Sequence, residues 1–196
     1  IRDRLLSRGL GDVYKSQYRN GPDPKFSPRG GKSHWFGGDG MVHAFHIDNG
    51  KVSYINRWMR TVKWLKEHEA GEALFPSGMD PTDTDPSVQG LKTDGLANTS
   101  IVSHAGKLFA LEEAHAPFEF DPFTLESIGS HTFDSKLQGP VTAHPKVDPI
   151  TGELLFFGYM ADGFFSDTIR YTSVSKDGNI SNCLLYTSDA ADEGHC

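Results

Sequence analysis

Short runs of alternating apolar and polar residues occupy the middle of the chain and predict antiparallel strands. Residues 41–47 (MVHAFHI) and 51–58 (KVSYINRW) flank Asn49-Gly50, a dipeptide that readily adopts positive φ and favours a two-residue hairpin turn. A second hairpin is expected over residues 100–111, with its turn at Ala105-Gly106. The pattern therefore predicts strand–turn–strand units at short intervals rather than strands alternating with helices.

The same kind of pattern continues towards the end of the chain. Strands are expected at residues 153–159 and 169–175. Two turns resemble each other, FDPFTLES around Asp121 and VDPITGEL around Asp148, and both place an Asp-Pro pair where β-turns favour these residues. Repeated units of this kind suit a β-propeller, although a β-sandwich gives a similar pattern.

One segment is predicted to be helical. Residues 60–70 (RTVKWLKEHEA) place Val62 and Leu65 three positions apart among charged residues, and Gly71 is a suitable C-terminal cap. The following residues 76–90 are rich in Pro, Asp, Thr and Ser, and we expect them to form an exposed loop.

Composition narrows the classes of partner. The chain of 196 residues has a net charge of −7 and a mean hydropathy of −0.45, and its scattered Lys and Arg form no basic stripe, so we expect no nucleic-acid partner. It contains no long apolar run, so we expect no transmembrane segment. The only cysteines, Cys183 and Cys196, exclude a disulfide scaffold from the main body and are compatible with a reducing compartment, so we expect a cytoplasmic protein.

The two ends differ from the body in composition. Residues 1–17 (IRDRLLSRGLGDVYKSQ) and 183–196, which begin CLLYTSDAADE, resemble translated adapter sequence, and such segments are excluded from fold reasoning. We therefore expect a domain at residues 18–182 flanked by two non-native, adapter-derived segments that make few contacts with it.

Histidine is the residue type that most suggests chemistry. The chain has no complete catalytic motif, but it has nine histidines, most of them on different predicted strands and loops. His144 precedes Pro145, which restricts it to an extended backbone. From the residues alone, the simpler interpretation of His144 is a histidine in a turn before a hairpin.

Five segments together carry a family resemblance. They are GDGMVH (38–43), ANT (97–99), LFALEE (108–113), DPFTLE (121–126) and TAHPKVDPITGELLFFGY (142–159). In this order they resemble the carotenoid cleavage oxygenases, which include the lignostilbene dioxygenases, over residues 36–180.

The resemblance implies a fold and a metal site. It implies an all-β, seven-bladed β-propeller with antiparallel strands and one short helix, of which this chain holds only the first blades. Iron(II) would lie on the propeller axis, held by four histidines, and His144 matches the first of them. Glu113 matches a glutamate that hydrogen-bonds a later histidine ligand and orients it, whereas the neighbouring Glu112 should point the other way on a strand. The other three ligands would lie beyond the matching region, since no family motif surrounds His195.

The resemblance also implies an activity. The longer parent would be a non-heme iron(II) dioxygenase that uses O2 to cleave a conjugated C=C bond of an apolar apocarotenoid or stilbene into two carbonyl products. The stilbene subgroup holds the substrate phenol with a Tyr and with a Lys at the position of Glu112, so this departure favours an apocarotenoid. The alternative is a non-catalytic β-propeller that binds a partner. With one ligand of four, the chain alone is expected to be inactive.

Overall fold

A computed structural model of the chain describes residues 14–31, 33–77, 81–163 and 166–187. Its strands form three antiparallel sheets, each built from strands that are consecutive in sequence. The first sheet contains β1 (Tyr14–Pro22), β2 (Gly40–Asp48) and β3 (Lys51–Trp58). The second contains β4 (Ser100–His104), β5 (Lys107–Leu111), β6 (Phe118–Phe120) and β7 (Ser127–Ser130). The third contains β8 (Lys146–Val147), β9 (Leu154–Tyr159), β10 (Thr168–Val174) and β11 (Ile180–Thr187).

The all-β, antiparallel prediction is confirmed for these residues, while the closed seven-bladed ring stays a prediction. No helix in the described ranges is long and apolar enough to cross a membrane.

The predicted turns form for the expected reason. Asn49 and Gly50 both have positive φ, 48° and 75°, as do Ala105 and Gly106, at 49° and 78°. Positive φ at both central residues matches the right-handed twist of the flanking strands. Glycine meets this requirement without strain, which is why the pairs end in Gly.

The two Asp-Pro turns share one hydrogen-bonding scheme. Oδ1 of Asp121 accepts from the backbone N–H groups two and three residues later, at 2.9 and 2.8 Å. Oδ1 of Asp148 does the same at 2.7 and 2.8 Å. These backbone donors lower the pKa of both carboxyl groups. The fifth residue of each turn has positive φ, 56° at Leu125 and 74° at Gly152.

The helix α1 spans Val62–Ala70 and begins two residues later than predicted. Thr61 has an extended backbone, and its Oγ1 accepts from the backbone N–H of Trp64 at 3.2 Å, so it caps the helix. Gly71, at φ 78°, ends the helix as predicted. In the following segment, Val88 is buried, so the prediction of a wholly exposed loop is wrong there, because an apolar side chain within the polar loop packs inward.

The middle sheet lies between the other two, and β5 is buried on both faces. Leu108 and Ala110 belong to a core cluster that includes residues of β2. Phe109 and Leu111, which alternate with them, pack with Ala143, just before β8. Alternate side chains of β5 therefore pack on opposite faces of the middle sheet, one set with residues of the first sheet and the other with the residue just before the third.

Strand pairing continues past both expected domain boundaries. Tyr14–Gln17 pair with Phe45–Asp48 of β2, and Cys183–Thr187 pair with residues of β10. The expectation of few contacts is therefore wrong for these residues, because backbone hydrogen bonds extend a hairpin whatever the side chains are. The non-native origin of residues 1–17 and 183–196 stays a prediction, and residues 1–13 and 188–196 lie outside the described ranges.

Candidate active site

A cavity of about 510 Å³ opens where several strand ends meet. The segment before β4, the residues after β5, the end of β9 and the residue two positions before β8 all contribute to its wall. Its apolar lining includes Phe36, Leu96 and Met160. An apolar cavity of this size with a few polar groups is typical of a small-molecule site.

His144 and Glu113, the two site residues predicted from the sequence, both line this cavity. Nε2 of His144 lies 3.5 Å from Oε1 of Glu113. The backbone N–H of His144 donates to Oγ1 of Thr142 at 3.2 Å, and Ser100 Oγ donates to the carbonyl of Ala143. These two hydrogen bonds hold the backbone that leads into His144.

A metal ion could take one ligand from this pair. A neutral imidazole suits iron(II) and other divalent transition metals, and His144 keeps its side chain 67% exposed at the cavity wall. The described residues hold no group of three or more His, Cys, Asp or Glu that could bind a metal. The described residues could therefore supply one part of a metal site, with the other ligands coming from elsewhere in the protein. The ligand role of His144 and the orienting role of Glu113 stay predictions.

Several of the other histidines bind protein groups. Nδ1 of His43 lies 2.7 Å from the Tyr54 hydroxyl, and Nδ1 of His131 lies 2.9 Å from Glu119. Nε2 of His104 donates to the carbonyl of Ser175 at 2.8 Å, which ties the second sheet to the turn after β10. These three therefore have structural partners.

Glu112 does not point away from the cavity. It lines the same wall as Glu113, so the expectation of opposite directions is wrong, because β5 ends at Leu111 and strand alternation stops there. Its Oε1 pairs with Nδ1 of His115. Burial lowers the pKa of His115, but its hydrogen bond with Glu112 and the charges of Glu112 and Asp94 raise it above the usual value overall.

Tyr159, the last residue of β9, lines the cavity. Burial raises the pKa of its hydroxyl, and the charges of Glu113 and Glu112 raise it further. The phenol therefore remains protonated at neutral pH. A second cavity of about 270 Å³ shares Ala114, Tyr159 and Met160 with the first.

The motifs at residues 97–99 and 38–43 have structural roles beside the cavity. Nδ2 of Asn98 donates to the carbonyl oxygens of Phe36 and Gly38, both at 2.7 Å. A Cβ on Gly40 would lie 2.1 Å from the Ala97 carbonyl oxygen, so only glycine fits there. Sequence reasoning gave Asn98 no role, and the order of the motifs was the only signal.

The retinal pigment epithelial membrane protein family model, which describes carotenoid oxygenases, matches residues 16–192. The chain belongs to the carotenoid oxygenase family. Among relatives, isoeugenol monooxygenase of Pseudomonas nitroreducens is 43% identical over 84% of this chain and 34% of its own length.

Two solved carotenoid oxygenase structures support the fold. The lignostilbene dioxygenase of Pseudomonas brassicacearum superposes with a TM-score of 0.84 and 36% identity, over 90% of this chain and 36% of that one. The apocarotenoid oxygenase of Synechocystis gives 0.72 and 26%, over 88% and 38%. The chain therefore spans about a third of the length of the relatives that it matches.

Proposed function

We propose that the longer protein containing this chain is an iron(II) dioxygenase that cleaves a conjugated C=C bond. The observation that carries the proposal is the His144–Glu113 pair on the wall of an apolar cavity, in a member of the carotenoid oxygenase family. Three further ligands would come from the rest of the protein.

The residues of this chain would prepare the site. His144 would offer Nε2 to the metal from a backbone held by Thr142 and Pro145. Glu113 would orient an imidazole beside it, since carboxylates that hydrogen-bond metal ligands fix their direction. The apolar wall would exclude water from the substrate. The iron, when bound, would supply the reaction with O2 that the protein cannot perform alone.

For the substrate, we propose a phenolic alkene such as a hydroxylated stilbene or a propenyl phenol. Isoeugenol and lignostilbene both carry a phenol conjugated to a C=C bond. The similarity to the lignostilbene enzyme, at a TM-score of 0.84, exceeds that to the apocarotenoid enzyme, at 0.72. This outweighs the single position, Glu112, that favoured an apocarotenoid. One molecule of O2 and one alkene would give two carbonyl products.

The test is turnover by the full-length, iron-loaded protein. A hydroxylated stilbene, isoeugenol and an apocarotenoid are each incubated with O2, and products are identified by mass spectrometry. We expect two aldehydes from a phenolic alkene and none without O2. Cleavage of the apocarotenoid alone would contradict the substrate class, and no cleavage of any of the three would contradict the enzyme.

A further inference from the structure

We propose that the Met160 side chain separates the 510 Å³ cavity from the neighbouring 270 Å³ cavity and thereby limits the length of the alkene that the protein accepts. The inference rests on the proposed function in that it takes the larger cavity as the substrate site. It makes Met160 a specificity-determining residue, and it gives the smaller cavity an occupant, an apolar tail carried by a longer substrate.

The two cavities meet at the end of β9. Among the described residues, Ala114, Tyr159 and Met160 line both of them. Ala114 carries only a methyl group, and Tyr159 is held in the sheet by its pairing with Ile169 of β10. Met160 lies just past the strand, and a methionine side chain has three rotatable bonds. Of the three shared residues, Met160 is therefore the one able both to block the passage and to move aside.

The backbone at Met160 adopts a conformation that favours glycine. Its φ is 53°, in the left-handed region, where a side chain causes strain. Two backbone hydrogen bonds hold the turn around it, from the N–H of Gly163 to the Met160 carbonyl at 3.1 Å and from the N–H of Ala161 to the Thr168 carbonyl at 2.9 Å. Residues strained in this way concentrate at ligand-binding sites. A long apolar side chain at a position that glycine would occupy without strain points to a use for that side chain.

The smaller cavity suits an apolar extension of a substrate rather than a separate ligand. At 270 Å³ it falls below the range of about 300–1,000 Å³ that is usual for independent small-molecule sites. Gly139, Pro140 and Ala161 contribute short or apolar groups to its wall. Its histidine, His115, already pairs through Nδ1 with Glu112. A hydrocarbon tail that enters this space therefore meets a mainly apolar surface.

The size of the effect depends on how much of the tail becomes buried. Each methylene group transferred from water to an apolar site improves binding by a factor of about four. Two methylene groups of a butyl chain in the smaller cavity would therefore improve binding by about tenfold or more. With Met160 in place, this gain is offset because its side chain must first be displaced.

The experiment uses the full-length, iron-loaded protein and three alkenes. They are 4-hydroxystilbene and two derivatives that carry a butyl chain, one on the phenol ring and the other on the second ring. Because the chain lies at opposite ends of the two derivatives, one of them can direct it to the smaller cavity whichever way the molecule binds. The measurements are kcat/KM for each compound and, without O2, its Kd by fluorescence.

The variants separate the side chain of Met160 from its backbone. Met160→Ala and Met160→Gly both remove the side chain, and only the second also relieves the backbone. Met160→Leu is the matched control, because this exchange nearly conserves the volume. Leu91→Ala is the second control, since it shortens an exposed apolar residue that lines neither cavity.

We expect Met160→Ala and Met160→Gly to improve one butyl derivative about tenfold relative to 4-hydroxystilbene, in both kcat/KM and Kd. The unmutated protein, Met160→Leu and Leu91→Ala should show no such gain. No gain in Met160→Ala, even with one in Met160→Gly, or an equal gain in Leu91→Ala overturns the role of Met160. If no compound is cleaved by any variant, the proposed function fails, and the anaerobic Kd values still decide the role of Met160. If no compound binds, both proposals are rejected.

Discussion

Replacing Lys63 with methionine should destabilise the fold more than any surface charge change. Nζ of Lys63 lies 2.9 Å from Oδ1 of Asp39 and 2.6 Å from Oε2 of Glu67. The three side chains are 10%, 3% and 3% exposed. Lys63→Met keeps the apolar stem but leaves two buried carboxylates without their cation.

The size of the stability loss depends on which hydrogen bonds the two carboxylates still accept once Lys63 is replaced. Oε1 of Glu67 still accepts from the backbone N–H groups of Leu74 and Phe75, both at 3.0 Å. Within the described ranges, the Asp39 carboxylate keeps only a long contact of 3.4 Å with the backbone N–H of Lys25. Breaking a buried ion pair by removing one partner typically costs about 3–5 kcal/mol, and we expect the free energy of unfolding to fall by that amount.

The assay is equilibrium unfolding in urea, with the free energy taken by linear extrapolation. Lys66→Met is the matched control, because the Lys66–Glu69 pair is exposed and should contribute less than about 0.5 kcal/mol. Adding Asp39→Asn and Glu67→Gln to Lys63→Met should restore much of the loss, since no unpaired charge then remains buried. A loss below about 1 kcal/mol for Lys63→Met would refute the argument.

Three further predictions concern a turn, a buried histidine and the candidate metal site. Asp121→Ala should lower the free energy of unfolding by about 0.5–2 kcal/mol at neutral pH, as loss of a capping carboxylate does. Because the folded-state pKa of Asp121 is lowered, the difference from the unmutated chain in urea unfolding should be fully present above the usual pKa of an aspartate, about 3.9. It should vanish as pH falls through the lower folded-state pKa. The pKa of His104 is lowered by burial despite its bond to Ser175, so the unfolded chain takes up its proton first as pH falls below about 6.5. His104→Gln should therefore lose less stability than the unmutated chain between about pH 7 and pH 5 in thermal unfolding, and equal losses would contradict the burial argument. In the full-length protein, Glu113→Gln should weaken iron binding about 10–100-fold, measured by competition with a chelator, and unchanged affinity would remove Glu113 from the site.

Short sequence patterns predicted the turns and helix ends whose conformation depends on residues that are neighbours in sequence. The hairpin at Asn49-Gly50 and the helix end at Gly71 depend on backbone conformations that neighbouring residues favour. Strand β1, Tyr14–Pro22, was not predicted, because its first four residues fell in the segment 1–17 that was excluded as adapter-derived. It is a strand through its pairing with β2.

The candidate site was predicted in part, through the order of family-like motifs. The 3.5 Å approach of His144 and Glu113 joins two segments distant in sequence, and no spacing rule predicts it. The position of Glu112 was mispredicted, because period-two alternation was applied one residue past the end of β5. The contact of Glu112 with His115 depends on the bend that follows.

We propose that His144 holds iron in the full-length protein, and the iron content after anaerobic loading and removal of free metal tests this role. The control is His43→Ala, since His43 pairs with Tyr54 and does not line the cavity. We expect stoichiometric iron in the unmutated protein and in His43→Ala, and little or none in His144→Ala, because three remaining imidazoles would hold the metal poorly. Full iron occupancy in His144→Ala would contradict it.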